Sequence, residues 1–300
     1  MNMNLMFVFP AFMNLQKKFT IISLFNESST MNRIFLILPV LFISLSLFAQ
    51  TSNDTINQVD NNGKKHGFWK KQNGDTLKYE GRFVHGIPEG DFVYYYDDGK
   101  VKTEMNYTNN GQNAYAIMYF NNGKKMAEGK FVNKKREGEW ITYDGHDNII
   151  AKVPYSNGKK SGLAIYFFPE GGTLEEVHYE EGIEQGNFKQ YFPNGSVKMK
   201  GCYENGKYHG PFTYYYPNNM VYNTGLFENG LKNGVWSMYD EEGKIILKYT
   251  YNKGEIVNKE VFQKDKDPEE INKKLGDDEH EKKGSTSTDN GINDPRYDGY

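Results

Sequence analysis

A single cysteine, Cys202, is all the sulfur chemistry of thiols this 300-residue chain has. It excludes an internal disulfide framework and any metal site built on a cluster of thiolates. Charge of one sign is also missing, because 36 Lys and Arg nearly cancel 39 Asp and Glu and leave a formal charge of −3. Without a basic stripe to gather phosphates, nucleic acid is not an expected partner. Histidines are few and scattered: His66, His85, His146, His178, His209 and His280. None stands at ligand spacing from another donor, so no metal is expected. Two of them, His66 and His209, occupy the same place in a recurring turn, which points to a structural role.

Catalytic constellations are lacking as well. No Ser/His/Asp order, Cys/His pair or glycine-rich phosphate loop stands out. The adjacent carboxylates Glu175-Glu176 and Glu180-Glu181 would face opposite ways on a strand, which argues against an acid/base couple. Acidic turns such as Asp97-Asp98-Gly99 and Asp240 to Gly243 lack the longer spaced oxygen pattern of a calcium loop. The chain reads as a non-enzymatic protein with no cofactor, and no catalytic, cofactor-binding or metal residue is assigned.

What is abundant is glycine and aromatic rings, 31 Gly with 23 Tyr, 20 Phe and 3 Trp, and they recur at a fixed interval. Gly90, Ala114, Gly138, Gly162, Gly186, Gly210 and Gly234 are spaced by 24 residues, and a slightly shorter copy starts at Gly67. Such self-similarity marks a repeat architecture. With the glycine as position 1, position 3 is aromatic in Phe92, Trp140, Phe188, Phe212 and Trp236. Position 6 holds Tyr95, Tyr119, Tyr143, Phe167, Tyr191, Tyr215 and Tyr239. Position 10 is glycine after an Asp, Asn or Glu in most units, the chemistry of a tight hairpin turn. Positions 12, 14, 16 and 18 then alternate apolar with polar neighbours, as in Val101, Thr103, Met105 and Tyr107, and predict a strand with one buried face. A second turn follows at Asn157-Gly158, Asn205-Gly206 and Asn229-Gly230. Each unit is thus a β-hairpin, and the body is expected to be an all-β, elongated, single-layer antiparallel meander of about eight repeats and about 16 strands. Positions 3 and 6 have opposite parity, and sequence alone leaves open which ring is buried.

The pattern carried by Gly186, Phe188, Tyr191, Asn194-Gly195, Tyr203 and Gly206-Lys207-Tyr208-His209-Gly210 resembles the variant MORN repeat of bacterial proteins. The resemblance covers Gly63 to about Phe262 and implies a twisted single-layer β-meander. Bacterial chains of this kind are often labelled YwqK-family antitoxins. Ala114, Ala116, Ala164, Gln72, Asn219 and Asp147 depart from the pattern.

Outside the body the composition shifts. Residues 1–30 read as a non-native or weak extension upstream of Met31. Residues 31–49 read as a signal peptide, in which Asn32-Arg33 precedes the 15-residue apolar run Ile34 to Phe48 and Ala49 offers a cleavage point. Residues 50–62 are polar and read as a linker, residues 63–262 are the array, and residues 263–300 form a charged tail of disordered composition with 11 acids and 7 bases. The expected function is an exported scaffold for protein–protein interaction, in the periplasm or at the cell surface. Its partner is another protein or a cell-surface component, and it meets the membrane only through the signal segment. Two alternatives stand beside it. Aromatic runs such as Tyr94-Tyr95-Tyr96 and Tyr214-Tyr215-Tyr216 could form a ladder that binds carbohydrate or cell wall. An antitoxin role instead requires that residues 31–49 do not direct export.

Overall fold

The computed structural model describes residues 55–266. The extension 1–30, the signal peptide 31–49, the start of the 50–62 linker and tail residues 267–300 lie outside that range. Among the described residues no helix occurs, and all regular structure is strand.

The strands in chain order are β1 (Gln58–Val59), β2 (Lys65–Asn73), β3 (Thr76–Val84), β4 (Ile87–Tyr95), β5 (Val101–Thr108), β6 (Asn113–Tyr119) and β7 (Lys125–Val132). They continue as β8 (Lys135–Tyr143), β9 (Ile149–Ser156), β10 (Lys159–Lys160), β11 (Gly162–Phe167), β12 (Thr173–Glu180) and β13 (Ile183–Tyr191). The series closes with β14 (Val197–Glu204), β15 (Lys207–Tyr215), β16 (Val221–Glu228), β17 (Leu231–Tyr239), β18 (Ile245–Asn252) and β19 (Glu255–Val261). Each strand pairs antiparallel with the next in one open sheet of 19, except that the short β10 folds back on β9 and β9 also pairs with β11. The repeats therefore form a hairpin meander. Two differences lie at its ends. Gln58 and Val59, inside the stretch read as a linker, pair with His66 and Lys65. The unit that begins beyond Asn252 contributes a complete edge strand, β19.

Hairpins are out of phase with the glycines that mark the repeat. Gly90 lies inside β4, where Gly81 pairs with Phe92 and Arg82 with Glu89, so Gly90 and Asp91 are a bulge. Its φ of +68° is the left-handed conformation that needs glycine. Ala114 has no such bulge, and Met105 to Thr108 pair regularly with Ala116 to Asn113. The length is recovered in the preceding turn, where Asn109, Asn110 and Gly111 all have positive φ. Asn219 and Asp147 keep the turns they seemed to spoil, at φ of +68° and +71°. Short polar side chains tolerate that region.

A second bulge corrects the expected face of position 12. Tyr94 pairs with Thr103 and Tyr95 with Val101, so Lys102 is an extra residue and Val101 shares the face of Tyr95. The buried face is instead made by positions 3, 16 and 18 with much of 5 and 14, a continuous cluster from Phe92 to Trp236. This settles the two rings. Position 3 is core, with Phe92, Trp140, Phe188, Phe212 and Trp236 at most 2% exposed, while position 6 lies on the opposite, outer face.

Ring size on the core face is matched to the strand before it. Gly81, Gly129, Gly201 and Gly225 lie directly beneath the rings of Phe92, Trp140, Phe212 and Trp236. Where this position is Met105, its partner is Ala116, and where it is Val153, the register set by Ile165 and Lys152 brings Ala164 alongside. Those alanines are the small halves of large–small pairs. Val177 opposite Phe188 keeps a branched side chain and a ring together.

Candidate functional site

A sheet without a second layer must close its apolar face with its own side chains. Position 23, two residues before the repeat glycine, does this in five units. Lys65 lies over Trp69, Tyr79 and Phe83 at 5.0, 5.3 and 4.9 Å, and Lys232 over Trp236 and Tyr251 at 5.0 and 5.4 Å. Arg136 covers Trp140 and Tyr155 at 4.8 and 5.0 Å, and its Nη1 donates to the Tyr155 hydroxyl at 2.8 Å. Lys160 covers Tyr179 at 5.0 Å. In another unit the same place is Tyr208, stacked on Phe188 at 5.5 Å. In these units alkyl stems or a tyrosine ring shield the core rings, and the cations face their π clouds. Nothing in the repeat pattern flagged position 23, because Lys, Arg and Tyr share no hydropathy and the remaining units place Pro88, Gln112 and Glu184 there.

The outer face carries the second ladder of rings. Tyr95 donates its hydroxyl to Glu80 at 2.6 Å, Tyr119 to Glu104 at 2.8 Å, and Tyr143 to Glu128. Each acid comes from position 15 of the preceding unit. Where position 6 has no hydroxyl, at Phe167, position 15 is Lys152, and the Tyr215 ring is met by Lys200 at 5.3 Å. Burial, followed by the hydrogen bond to the carboxylate, pushes the Tyr95 and Tyr119 phenols up to about 12. Tyr143 is raised further by the same causes. The hydrogen bond from Tyr95, then Lys70, lowers Glu80. A phenol raised in the folded state stabilises the fold below its ordinary value of 10 and loses that contribution as pH rises through about 12. Ultraviolet titration is therefore expected to show a tyrosine class ionising near 12, and Glu104→Gln should return one member toward 10. Ionisation of every tyrosine near 10 in the folded protein would contradict the ladder.

Between these rings runs a central column that changes character along the sheet. Glu80, Val93, Glu104, Ile117, Glu128 and Ile141 follow one another across β3 to β8. Lys189, Lys200, Thr213, Thr224, Ser237 and Lys248 do so across β13 to β18. One half of this column is acidic and aliphatic, the other basic and hydroxylated.

Position 2, beside the repeat glycine, is open in seven consecutive units. Asp91, Tyr115, Glu139, Leu163, Asn187, Pro211 and Val235 occupy it, every one exposed and every one a different residue. Core positions repeat a type; this one does not.

The histidines do not converge. His66 and His85 are ring neighbours at 5.0 Å, but the partner of His85 Nδ1 is Asp60 at 2.7 Å, and His209 lies apart beside Glu204 at 3.2 Å. Among the described residues no group of three or more His, Cys, Asp or Glu comes together. The carboxylates of the acidic turns are engaged by protein groups: Asp98 accepts the Lys100 amide, Asp97 pairs with Lys78, and Asp240 accepts the backbone amides of Glu242 and Lys244 and the side-chain amide of Gln263. Cys202 is a partly exposed free thiol.

Asp60 holds the first strand down. Its carboxylate accepts His85 and the amides of Asn62 and Lys64, and these bonds, the His85 one first, bring its pKa from 3.8 to about 2. A lowered carboxylate stabilises the fold above its unfolded value and stops doing so as pH falls through about 2. Trp69, whose Nε1 donates to Gln58 O, reports on this segment. Its fluorescence is expected to change between pH 4 and 2, and Asp60→Asn should show the acid form already at neutral pH. A wild-type signal unchanged across that window would contradict the anchoring role.

Against known protein families, the description "MORN repeat variant" matches residues 88–109, 184–205, 208–229 and 232–253. Each match spans one hairpin: β4–β5, β13–β14, β15–β16 and β17–β18. No curated protein matches the chain. Among solved structures, a mutant of S. aureus TarM in complex with fondaparinux, alpha-GlcNAc-glycerol and UDP is 15% identical at a TM-score of 0.17. That match covers 35% of this chain and 19% of TarM. A second TarM crystal structure is 13% identical at a TM-score of 0.16, covering 47% and 20%. The chain thus spans about a fifth of the length of these structures.

Proposed function

We propose that this array of variant MORN hairpins is an exported, non-enzymatic scaffold whose outer face binds another protein. The observation that carries the reading is position 2, exposed in seven consecutive units and different in each. A polymer of identical sugars presents the same chemistry at every step and favours a surface that repeats with it. A protein partner is aperiodic, and an aperiodic set of Tyr115, Leu163 and Val235 among polar neighbours suits it. The rings of position 6, which do repeat, favour the carbohydrate reading, but their hydroxyls in β4, β6 and β8 already donate to Glu80, Glu104 and Glu128. Export rests on the apolar run from Ile34 to Phe48. The antitoxin reading needs the same protein to stay in the cytoplasm.

The test places a photo-crosslinking residue at Tyr115, Leu163 or Val235 in the native host. The expected result is one discrete protein adduct in the fraction outside the cytoplasm, lost in the Leu163→Arg/Val235→Arg variant with the β-sheet circular dichroism unchanged. No adduct, together with retardation by cell-wall polysaccharide that Tyr119→Ala and Tyr191→Ala abolish, would replace the protein reading with the glycan one. An adduct found only in the cytoplasm would favour the antitoxin.

A further inference from the structure

One strand of the outer face differs from the rest. Positions 2, 4 and 6 of β11 are Leu163, Ile165 and Phe167, three apolar side chains with no polar atom, whereas every other repeat from Gly90 to Tyr239 has a hydroxyl, charge or amide among the three. Leu163 is 41% exposed, and Ile165 and Phe167 are partly exposed. Ile141 on β8 and Ile149 and Pro154 on β9 extend the apolar patch. Among the described residues there is no second layer of sheet to cover it. Ile165 lies between opposite charges, because its register partner on β9 is Lys152 and its partner on β12 is Glu176. Glu176 also accepts the Tyr191 hydroxyl, which holds its carboxylate on this face. An apolar strand bordered by a base on one side and an acid on the other is complementary to itself.

Symmetry says what fits such a surface. A two-fold axis parallel to the strands and lying over Ile165 reverses the strand order and stacks two outer faces. It sets Leu163, Ile165 and Phe167 each against its own copy, and Lys152 of each chain against Glu176 of the other, twice. Two strands out, Glu139, Ile141 and Tyr143 meet Asn187, Lys189 and Tyr191, again with no like charges facing. An axis centred over β9 or β12 would set Lys152 or Glu176 against itself, and one running across the strands would do both. Strands farther out do not enter, because a twist of about 20–25° per strand turns them away. Aligned sheets pack about 10 Å apart, within reach of Lys and Glu side chains from the two sides. Five strands spaced about 4.8 Å, each about seven residues of about 3.3 Å, cover roughly 550 Å² per copy, and the total of roughly 1,100 Å² passes the ~1,000 Å² a specific interface needs. Residues 267–300 are a poorer occupant, since their aliphatics Ile271, Leu275 and Ile292 are not spaced to meet three neighbouring side chains of one strand.

We propose that the outer face at β11 is the interface of a two-fold dimer, its partner a second copy of this chain, with Lys152 and Glu176 exchanging ion pairs across the axis. Resting on the outer face as a binding surface, this dimer gives the centre of that face to a second copy and leaves Tyr115 on β6 and Val235 on β17 open to another protein. A two-fold contact uses the same patch on both chains, which ends assembly at the dimer.

The test is sedimentation equilibrium of the purified full chain, which is expected to dimerise. Lys152→Glu and Glu176→Lys should each weaken the dimer about tenfold or more, because each sets like charges face to face twice. An equal mixture of the two variants should recover the parent affinity, since every pair in the mixed dimer is again of opposite sign, and so should the double variant. Ile165→Asp should give a monomer with unchanged β-sheet circular dichroism. A parent that is monomeric at its highest soluble concentration, or a mixture no tighter than either variant alone, would overturn the dimer. So would a monomer in which Leu163→Cys, with Cys202→Ser, reacts with maleimide only after residues 267–300 are cut away, because the tail would then be the occupant. A monomer leaves the host adducts at Tyr115 and Val235 to decide whether another protein binds, so the two readings fail separately.

Discussion

Gly225→Val is expected to destabilise the protein by about 3 kcal/mol or more, at the upper end of the range for overpacking a core. The backbone of Gly225 is in an ordinary extended conformation, so strain in φ is not the reason. A Cβ there would lie 2.2 Å from the Trp236 ring, which sits flat on the glycine and is hemmed by Phe227, Tyr251 and Lys232. The ring has nowhere to go. At about 2–4 °C per kcal/mol for a domain of this size, the melting temperature should fall by roughly 6–12 °C. The same contact exists between Gly129 and Trp140, and there the chain contains its own remedy. Met105 over Ala116 is the inverted pair, so Gly129→Met with Trp140→Ala should be more stable than the sum of the two single changes by over about 1 kcal/mol. Urea denaturation of the four proteins checks it. Strict additivity would show that the two positions do not share the space.

Phe212→Ala should cost about 3–5 kcal/mol, whereas Tyr215→Ala, three residues along the same strand, should cost about 1 kcal/mol or less. Phe212 is 0% exposed and packs on Phe188, Tyr208 and Phe227 at 5.5, 4.7 and 4.5 Å. Tyr215 lies on the outer face with Lys200 over its ring, so its removal opens no enclosed cavity. Because strands pack chiefly on their neighbours, the Phe212 loss should be local. Hydrogen exchange should quicken from β14 to β17 while β2 to β5 keep their protection. Equal losses at the two rings would mean that the outer face is also core.

Both rings, both turns and the hairpin are legible in the sequence, because each is written locally. Asn205-Gly206 specifies a turn by its φ angles, and alternation from Thr103 to Tyr107 specifies a strand with one wet side. Gly90 has the sequence look of a boundary yet sits in a bulge, since a residue needing positive φ looks the same in both. Ala116 and Ala164 looked like defects for a related reason: the small half of a pair is explained only by the large half, Met105 or Val153, on another strand. The outer-face ladder escaped notice because Tyr119 and Glu104 belong to different repeats, and the periodicity of each was explained without the other.

By itself, the sequence determined that this protein is a meander of hairpins, because a 24-residue period of turn glycines and alternating rings permits little else. Its lack of clustered donors likewise left no reaction to assign. Which side of each strand became core was decided only by tertiary structure. The one-residue bulge in the hairpin, as between Tyr94–Thr103 and Tyr95–Val101, resets the parity of the chain, and a shift of one residue moves a side chain from one face to the other. With the faces assigned, position 23 became the cover of the core in five units, position 2 the open surface, and β11 the apolar strand of the outer face, none of which a linear period can distinguish.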